Sequence, residues 1–195
     1  MTDTLRQLLT GLRALLFFTV LLGIAYPVVV WAIGQAAFPT QANGSLIVAT
    51  GANGTSTVVG SSRIGQTFEG DQWFVSRPSA GDYDAQASAG TNLGPSDADL
   101  VADIDKRRAN VAAQNGVAPA AVPADAITAS ASGLDPYISP AYAAIQVDRV
   151  AAARRLTPDR VRELVADQTQ GRILGFLGEP RVNVLRLNLA LASTQ

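Results

Sequence analysis

The chain has 195 residues, a formal net charge of −1, and neither cysteine nor histidine. This composition excludes disulfide bonds, thiolate nucleophiles, metal sites built from Cys and His, and catalytic triads that need a histidine base. The near-neutral charge also gives no indication of nucleic-acid binding, which is typical of strongly basic domains.

The first predicted element is an uncharged apolar stretch of 25 residues, Ala14 to Phe38. As a helix rising about 1.5 Å per residue it would reach roughly 37 Å, against about 30 Å for the hydrocarbon core of a bilayer. We therefore predict a transmembrane helix over residues 14–38. A cleaved signal peptide is the main alternative, because two arginines precede the stretch and small residues stand near its end, but signal peptides usually have a shorter apolar region.

Two features inside this span suggest a neighbouring helix. Pro27 lies near its middle, where the missing amide hydrogen predicts a kink and a packing partner. Ala25, Ala32 and Ala36 fall roughly along one helical face, and small residues let a partner helix approach closely.

The flanking charges predict the orientation of the span. Arg6 and Arg13 precede it, whereas the next Lys or Arg after it is Arg63. The positive-inside rule places residues 1–13 in the cytoplasm and residues 39–195 outside, as an extracytoplasmic domain on the cytoplasmic (inner) membrane.

The first part of this domain is acidic and irregular. Residues 40–103 contain two basic and seven acidic residues. Short strands are predicted at 45–49, 57–60 and 63–68, followed by a loop from 78 to 95 whose length is typical of a functional segment. A negative potential here could attract cations, although the ordinary interpretation is a solvated face with turn and cap residues; the candidate acids are Asp82, Asp84, Asp97 and Asp99.

A helix is predicted next, capped by Ser96 with Asp99 three residues later and ending at Gly116. It contains Lys106, the only lysine, which follows Asp105, so the chain has no G-x-x-x-x-G-K-[ST] phosphate loop. A solvated surface lysine is the simpler interpretation of Lys106 than a partner in a Ser-Lys dyad. We predict no catalytic residue, no metal site and no enzymatic activity for the chain itself.

The remaining elements alternate between helix and strand. A strand is predicted at 126–130, a helix from Ser139-Pro140 to about Arg155, and a second helix from Thr157-Pro158 to near Gly171. Leucines alternate with other residues over 182–191, which predicts either a half-buried strand or a strand that continues into a helix. The fold class is thus a single N-terminal transmembrane helix followed by an α+β domain.

One small-residue loop is a weak nucleotide-site candidate. Thr128 to Asp135 contains Ser130, Ser132 and Gly133, which could form a backbone nest for phosphate. A Ser-Gly turn before a capped helix explains the same residues and is more common.

Several segments together resemble one family, the C subunits of the Kdp potassium-transporting P-type ATPases. The resemblance extends over essentially the whole chain. The matching segments are Gln41–Leu46, Ile64–Phe68, Phe74 with Arg77–Ala80, Ser88–Gly94, Thr128–Asp135, Gln146 with Arg149–Ala151, Gly178–Leu185 and Leu187-Asn188. The family pattern has Gly where Ser76 stands and Gly-Gly-Ser where Ala89-Gly90-Thr91 stand. All of these residues are small, so the departures from the pattern keep small side chains at these positions.

The resemblance implies a non-catalytic accessory subunit of a high-affinity, ATP-driven potassium uptake pump. Its partners would be a channel-like K⁺ subunit, a P-type ATPase subunit and a small third membrane peptide, besides membrane lipid. Family members are described as required for assembly and as catalytic chaperones that raise the ATP affinity of the P-type subunit. The chain would then have no cofactor of its own, and ATP would act through the complex. A free-standing, membrane-tethered extracytoplasmic binding module is the alternative that composition alone equally allows.

Overall fold

The computed structural model describes residues 2–50 and 53–194. The chain forms two compact units that divide between Leu46 and Ile47. Each is described by itself below.

The first unit is helical. It comprises α1 (Thr2–Val20), a π-helical turn (Leu21–Ala25), α2 (Tyr26–Ala37) and the short α3 (Pro39–Ala42). Within the described residues one helix, Asp3–Ala37, is long and apolar enough to cross a membrane by length and composition. The structured helix therefore begins well before Ala14, the predicted start of the span.

The π-helical turn lies directly before Pro27. The Tyr26 amide donates to the carbonyl of Leu21, five residues back, and Pro27 occupies the first turn of α2. A proline ring would clash with the carbonyl four residues earlier in a regular helix, and a widened turn removes that clash. The structure thus has a π-helical turn next to the proline at which the sequence predicts a kink and a packing partner, and both of these stay predictions.

The second unit begins with a two-stranded sheet of β1 (Leu46–Thr50) and β2 (Ser56–Ser61). After a long irregular segment come α4 (Ala98–Asn115), two single 3₁₀ turns, β3 (Tyr137–Ile138), α5 (Pro140–Arg154) and α6 (Pro158–Asp167). The chain ends with β4 (Thr169–Gln170), β5 (Arg181–Asn183) and α7 (Val184–Ala192). The strands β3, β5 and β4 form an antiparallel sheet in that order, with Val182 of β5 opposite both Ile138 and Thr169.

The core of this unit lies between α5, α6, α7 and the central strand β5. Its fully buried side chains come from all four elements and from the irregular segment, and the largest apolar ones are Phe74, Leu187, Leu191, Val147, Val150, Val161, Val182 and Val184. Helices α4, α5, α6 and α7 are each preceded by a residue whose side chain accepts a hydrogen bond from an amide of the first helical turn. Such an amide has no partner within the helix itself. The capping residues are Asp97, Ser139, Thr157 and Asn183.

Several local predictions are confirmed. The first strand lies within one residue of its predicted bounds. Helix α4 ends as predicted at Gly116, whose backbone is left-handed. Helix α5 begins after Ser139 and helix α6 after Thr157, as predicted. Of the two alternatives for 182–191, the strand that continues into a helix is correct.

Four local predictions are wrong. Residues 63–68 form no strand, because the Gly65 amide donates to the Leu134 carbonyl of a distant loop. Residues 126–130 form no strand, because the amides of 126–128 donate back to the Pro123 and Ala124 carbonyls in a 3₁₀ turn. Asp97 rather than Ser96 caps α4, since its carboxylate accepts from two first-turn amides. Helix α6 ends at Asp167, because the next residues pair with β5.

Candidate functional site: a cluster of two loops around Arg77

The irregular segment between β2 and α4 is held in place by buried amide side chains of the core helices. The Phe74 amide donates to Asn188 Oδ1 and the Asn188 amide group donates to the Phe74 carbonyl, both at 2.9 Å. Gln146 makes the same pair of bonds to the backbone of Val75, at 2.8 and 3.2 Å. Two side chains thus replace a neighbouring strand for the backbone at 74–75.

A buried arginine fixes the same segment from its other side. The guanidinium of Arg149 donates to the carbonyls of Asp71 and Trp73, at 2.8 and 3.1 Å, and to Asn115 at 2.9 Å. Its burial lowers the pKa of this guanidinium from the ordinary value. Because its hydrogen bonds reach both Asn115 of α4 and the irregular segment, Arg149 connects α4, α5 and that segment.

These contacts direct Arg77 toward the loop that the sequence singles out as a nucleotide candidate. Arg77 Nη1 lies 3.0 Å from Asp135 Oδ2, and Arg77 Nη2 donates to the Thr128 carbonyl at 3.3 Å. The side chains of this ion pair are each 24% exposed, so the pair is shielded more than a surface salt bridge. We call residues 77–90 together with 128–135 the loop cluster.

Further hydrogen bonds join the two halves of the loop cluster. Ser79 Oγ donates to the Gly133 carbonyl at 2.7 Å, and Ser88 Oγ donates to the Ser132 carbonyl at 2.9 Å. The Ser130 amide donates to the Pro78 carbonyl at 3.1 Å. The two loops are therefore one hydrogen-bonded structure, although about fifty residues separate them in sequence.

Gly133 is needed for this packing. Its φ is +68°, and a Cβ there would lie 2.8 Å from the Ala89 carbonyl oxygen. A left-handed backbone and a close approach to a neighbouring carbonyl both require glycine. The glycine that suggests a phosphate nest thus has a structural role in contact with the other loop.

The backbone donors around Gly133 are engaged within the loop cluster. The Gly133 amide donates to the Ser130 carbonyl at 3.3 Å, and the Leu134 amide donates to Ser132 Oγ at 3.1 Å. Ser130 is buried, whereas Ser132 is exposed. A phosphate nest uses several free amides pointing at one place, so the nucleotide site at Ser130, Ser132 and Gly133 stays a prediction without added support from these contacts.

Two cavities flank Arg77. One of about 320 Å³ is lined by Arg77, Asp125, Asp135, Tyr137, Ile138, Ser139, Glu179, Pro180 and Arg181. The other, of about 190 Å³, is lined by Arg77, Tyr83 and residues 66–68, among others. Burial raises the pKa of Tyr83, whose hydroxyl donates to the Arg77 carbonyl at 2.6 Å. The charges around the larger cavity are mixed in sign, which favours hydrogen-bonded structure over a strong site for one type of ion.

The four candidate acids lie at the surface of the second unit. Asp82 and Asp84 are exposed in the loop cluster, where Asp84 accepts from the Gln86 amide at 2.9 Å. Asp97 and Asp99 lie at the start of α4. Among the described residues no group of three or more acidic side chains is placed to hold a metal ion.

The three alanines of the predicted packing face lie in the apolar helix. Ala32 and Ala36, four residues apart, share a face of α2, while Ala25 closes the π-helical turn. The only lysine, Lys106, is exposed on α4.

Nothing in the sequence indicated the ion pair of Arg77 with Asp135 or the pairing of Asn188 with Phe74. An asparagine within the leucine-rich run of 184–191 is the one signal that could have suggested a buried amide.

Comparison with known proteins identifies the type of chain. Residues 8–193 match a family model described as "K+-transporting ATPase, c chain". A relative from Kineococcus radiotolerans is 54% identical, covering 99% of this chain and 96% of its own length. Relatives from Beijerinckia indica and Gloeobacter violaceus are 51% and 46% identical, covering 91% and 96% of this chain and 89% and 96% of their own. All three are named potassium-transporting ATPase KdpC subunits.

Proposed function

Because this chain belongs to the KdpC family, the c chains of K⁺-transporting ATPases, we propose that it is a membrane-anchored accessory subunit of a potassium uptake pump. The observation that carries the proposal is the family match over residues 8–193, which includes both the apolar helix and the second unit. A shared anchor and domain support a shared place in a complex.

The proposed orientation has the N-terminus in the cytoplasm. Arg6 and Arg13 lie in the first two-fifths of the helix, and no further Lys or Arg occurs before Arg63. Positive-inside placement then leaves residues 1–13 cytoplasmic, residues 14–38 in the membrane and residues 39–195 outside. The structure adds that helix formation starts at Thr2, so the cytoplasmic residues would continue the same helix.

The proposed role is non-catalytic. Phosphorylation of a P-type ATPase needs an aspartate in an Asp-Lys-Thr-Gly motif, and the single lysine here follows Asp105 and precedes Arg107. The hydroxyls of Ser79 and Ser88 donate to backbone carbonyls in the loop cluster. These hydroxyls are thus engaged within the fold of the chain itself. The role that we propose from the family is assembly and stability of the complex with a channel-like K⁺ subunit, a P-type subunit and a small membrane peptide.

An effect on ATP affinity would have to be allosteric in this orientation. ATP is cytoplasmic, whereas the loop cluster would be outside. Any increase in the ATP affinity of the P-type subunit would then be a coupling free energy transmitted through the transmembrane helices. The nucleotide candidate at 130–133 would take no direct part.

The acidic surface of residues 40–103 supports a second, smaller part of the proposal. A negative potential near the K⁺ path would raise the local cation concentration at low ionic strength. Replacement by asparagine removes charge while keeping the side-chain oxygen that caps α4. We expect a weaker apparent K⁺ affinity at low salt that disappears at high salt, for the variant in which all four candidate acids are changed: Asp82, Asp84, Asp97 and Asp99. An unchanged affinity at low salt would exclude the steering role.

One experiment tests anchor, orientation and assembly together. The chain has no cysteine, so single cysteines at the exposed Ser132 and Ser193 can be labelled in intact cells with a membrane-impermeant maleimide, with lysed cells as the control. Labelling in intact cells supports the outside location, and labelling only after lysis overturns it. Co-purification with the other pump subunits tests assembly. Equal recovery of the chain from membranes that lack those subunits would instead favour a free-standing binding module.

A further inference from the structure

The connection between β4 and β5 carries a concentrated apolar surface. Four side chains, Ile173, Leu174, Phe176 and Leu177, are 57%, 83%, 69% and 54% exposed. We call these four residues the apolar tip. Their exposed area is roughly 500 Å², comparable to the largest apolar patch of a typical monomeric protein, and here it is confined to a single turn.

The backbone of the apolar tip is hydrogen-bonded within itself. Ile173 and Leu177 exchange two bonds, each of 2.9 Å. The Gly175 amide donates to the Arg172 carbonyl at 3.1 Å, and the Phe176 amide donates to the Ile173 carbonyl at 3.3 Å. Backbone that enters an apolar phase must be satisfied internally, and this turn largely meets that condition. Since these amides are already used, the turn is poorly suited to binding a partner by adding a strand.

The turn also holds a leucine in an unfavourable conformation. Leu174 has a φ of +54°, and among the residues that the structure describes it is the most exposed large hydrophobic one. A branched side chain in the left-handed region is uncommon, and exposure of that side chain to water gives no compensating burial. Strain of this kind is usually found at functional segments.

Charges are confined to the base of the turn. Arg172 and Glu179 form an ion pair of 2.7 Å, and Arg181 lies 4.4 Å above the ring of Tyr137. Residues 173–178 contain no charged side chain. An uncharged, apolar end above a base with two arginines and one glutamate complements a bilayer whose headgroups are anionic and whose interior is apolar.

We propose that the apolar tip inserts into the lipid interface and gives the second unit its own contact with the bilayer that the N-terminal helix spans. The inference rests on the proposed membrane anchoring, which keeps the second unit close to lipid at a high effective concentration. A pocket on another protein is the competing occupant. The tip contains no Trp, Tyr or side-chain hydrogen-bonding group, whereas protein hot spots are enriched in Trp, Tyr and Arg and poor in Leu.

A fluorescent probe on the full-length chain tests this contact. Leu174→Cys is labelled with an environment-sensitive nitrobenzoxadiazole group and reconstituted in vesicles of phosphatidylcholine and phosphatidylglycerol, with and without nitroxide-labelled acyl chains. Ala109→Cys, exposed on α4, is the matched control. We expect a blue-shifted emission that nitroxide lipids quench for the probe at 174, and water-like, unquenched emission at 109. Replacing Phe176 and Leu177 with serine in the Leu174→Cys chain should abolish both the blue shift and the quenching.

The outcomes separate lipid contact from protein contact. Water-like emission at position 174, unaffected by nitroxide lipids, would overturn the proposal. So would a blue shift that appears only when the other pump subunits are present and that nitroxide lipids do not quench, because it would place the tip in a protein pocket. Resistance to carbonate extraction and co-purification with the pump subunits are scored on the same preparations. Failure of anchoring or of assembly is thereby recognised independently of the lipid contact, and Phe176→Cys provides a second probe position if Leu174→Cys is poorly folded.

Discussion

Replacement of Asn188 by alanine should strongly destabilise the second unit, although the residue lies on no exposed surface. Asn188 is 1% exposed and Phe74 is completely buried. The substitution removes both bonds of 2.9 Å between the Asn188 side chain and the Phe74 backbone. It therefore leaves one buried amide hydrogen and one buried carbonyl without their partner.

The expected magnitude follows from the two orphaned groups. Each buried polar group left unsatisfied costs about 1–3 kcal/mol, so the loss of two should lower the free energy of unfolding by about 2–6 kcal/mol. This is a large fraction of the roughly 5–15 kcal/mol that stabilises a typical domain. Asn110→Ala on the exposed face of α4 is the matched control, and we expect a change within about 0.5 kcal/mol.

Two measurements on the full-length chain in detergent test the reasoning. Urea unfolding can be followed by the fluorescence of Trp73, which adjoins Phe74, and hydrogen exchange reports on the Phe74 amide directly. We expect a lower unfolding midpoint and a loss of protection at that amide. If Asn188→Ala keeps both the stability and the protection of the parent chain, the amide pair does not hold the segment.

A second variant sharpens the test. Gln146→Ala removes the equivalent bonds to Val75, the next residue. Because both amides hold the same stretch of backbone, release by one substitution should reduce the cost of the second. The double variant should therefore be less destabilised than the sum of the two single changes. Strict additivity would show that the two amides act on independent structures.

Three further predictions concern the loop cluster, the core and the membrane helix. Gly133→Ala should lower the free energy of unfolding by about 1–3 kcal/mol, because the backbone there is left-handed and the new Cβ would meet the Ala89 carbonyl oxygen. Gly94→Ala, with no atom within 4 Å of the new Cβ, should change it little. Urea unfolding of both variants distinguishes a packing role of Gly133 from general loop flexibility. Burial raises the pKa of Tyr142 to about 12, so between about pH 10 and pH 12 the folded chain keeps a proton that the unfolded chain has lost. The free energy of unfolding contributed by this residue should be intact below pH 10 and fall by up to about 3 kcal/mol as the pH rises to 12. Tyr142→Phe should remove this fall, which urea unfolding at alkaline pH can measure. Ala32→Trp should reduce co-purification with the other pump subunits, whereas Val30→Trp, about 200° away around the helix, should not; equal recovery of both variants would exclude the proposed packing face.

The features that the sequence could predict are those encoded by neighbouring residues. The apolar helix follows from the uncharged stretch at 14–38, and its π turn lies at the proline that marks it. Helices α5 and α6 follow from Ser139-Pro140 and Thr157-Pro158, because a cap acts on amides two or three residues away. The family resemblance is likewise carried by linear motifs.

The sheet and the site depended on contacts between distant residues. Strands of two residues are too short for an alternating pattern to be visible, so β3 and β4 could not be distinguished from their surroundings, whereas β5 lies at the start of the alternating segment 182–191. Residues 63–68 have the composition of a strand, yet the Gly65 amide donates to the Leu134 carbonyl in a loop about seventy residues later. Local preference is weaker than a hydrogen bond made in the folded core.

Sequence by itself determined that the chain has one membrane-length helix, a mixed domain and no groups for histidine or cysteine chemistry. Tertiary structure alone decided that Asn188 pairs with a backbone 114 residues away and that Arg77 meets Asp135 across 58 residues. It also decided that the apolar tip stays exposed while Leu185, Leu187 and Leu191 of α7 are buried. The physical reason is that an apolar or polar side chain has the same local signature in either environment, and only the folded chain determines which partner reaches it.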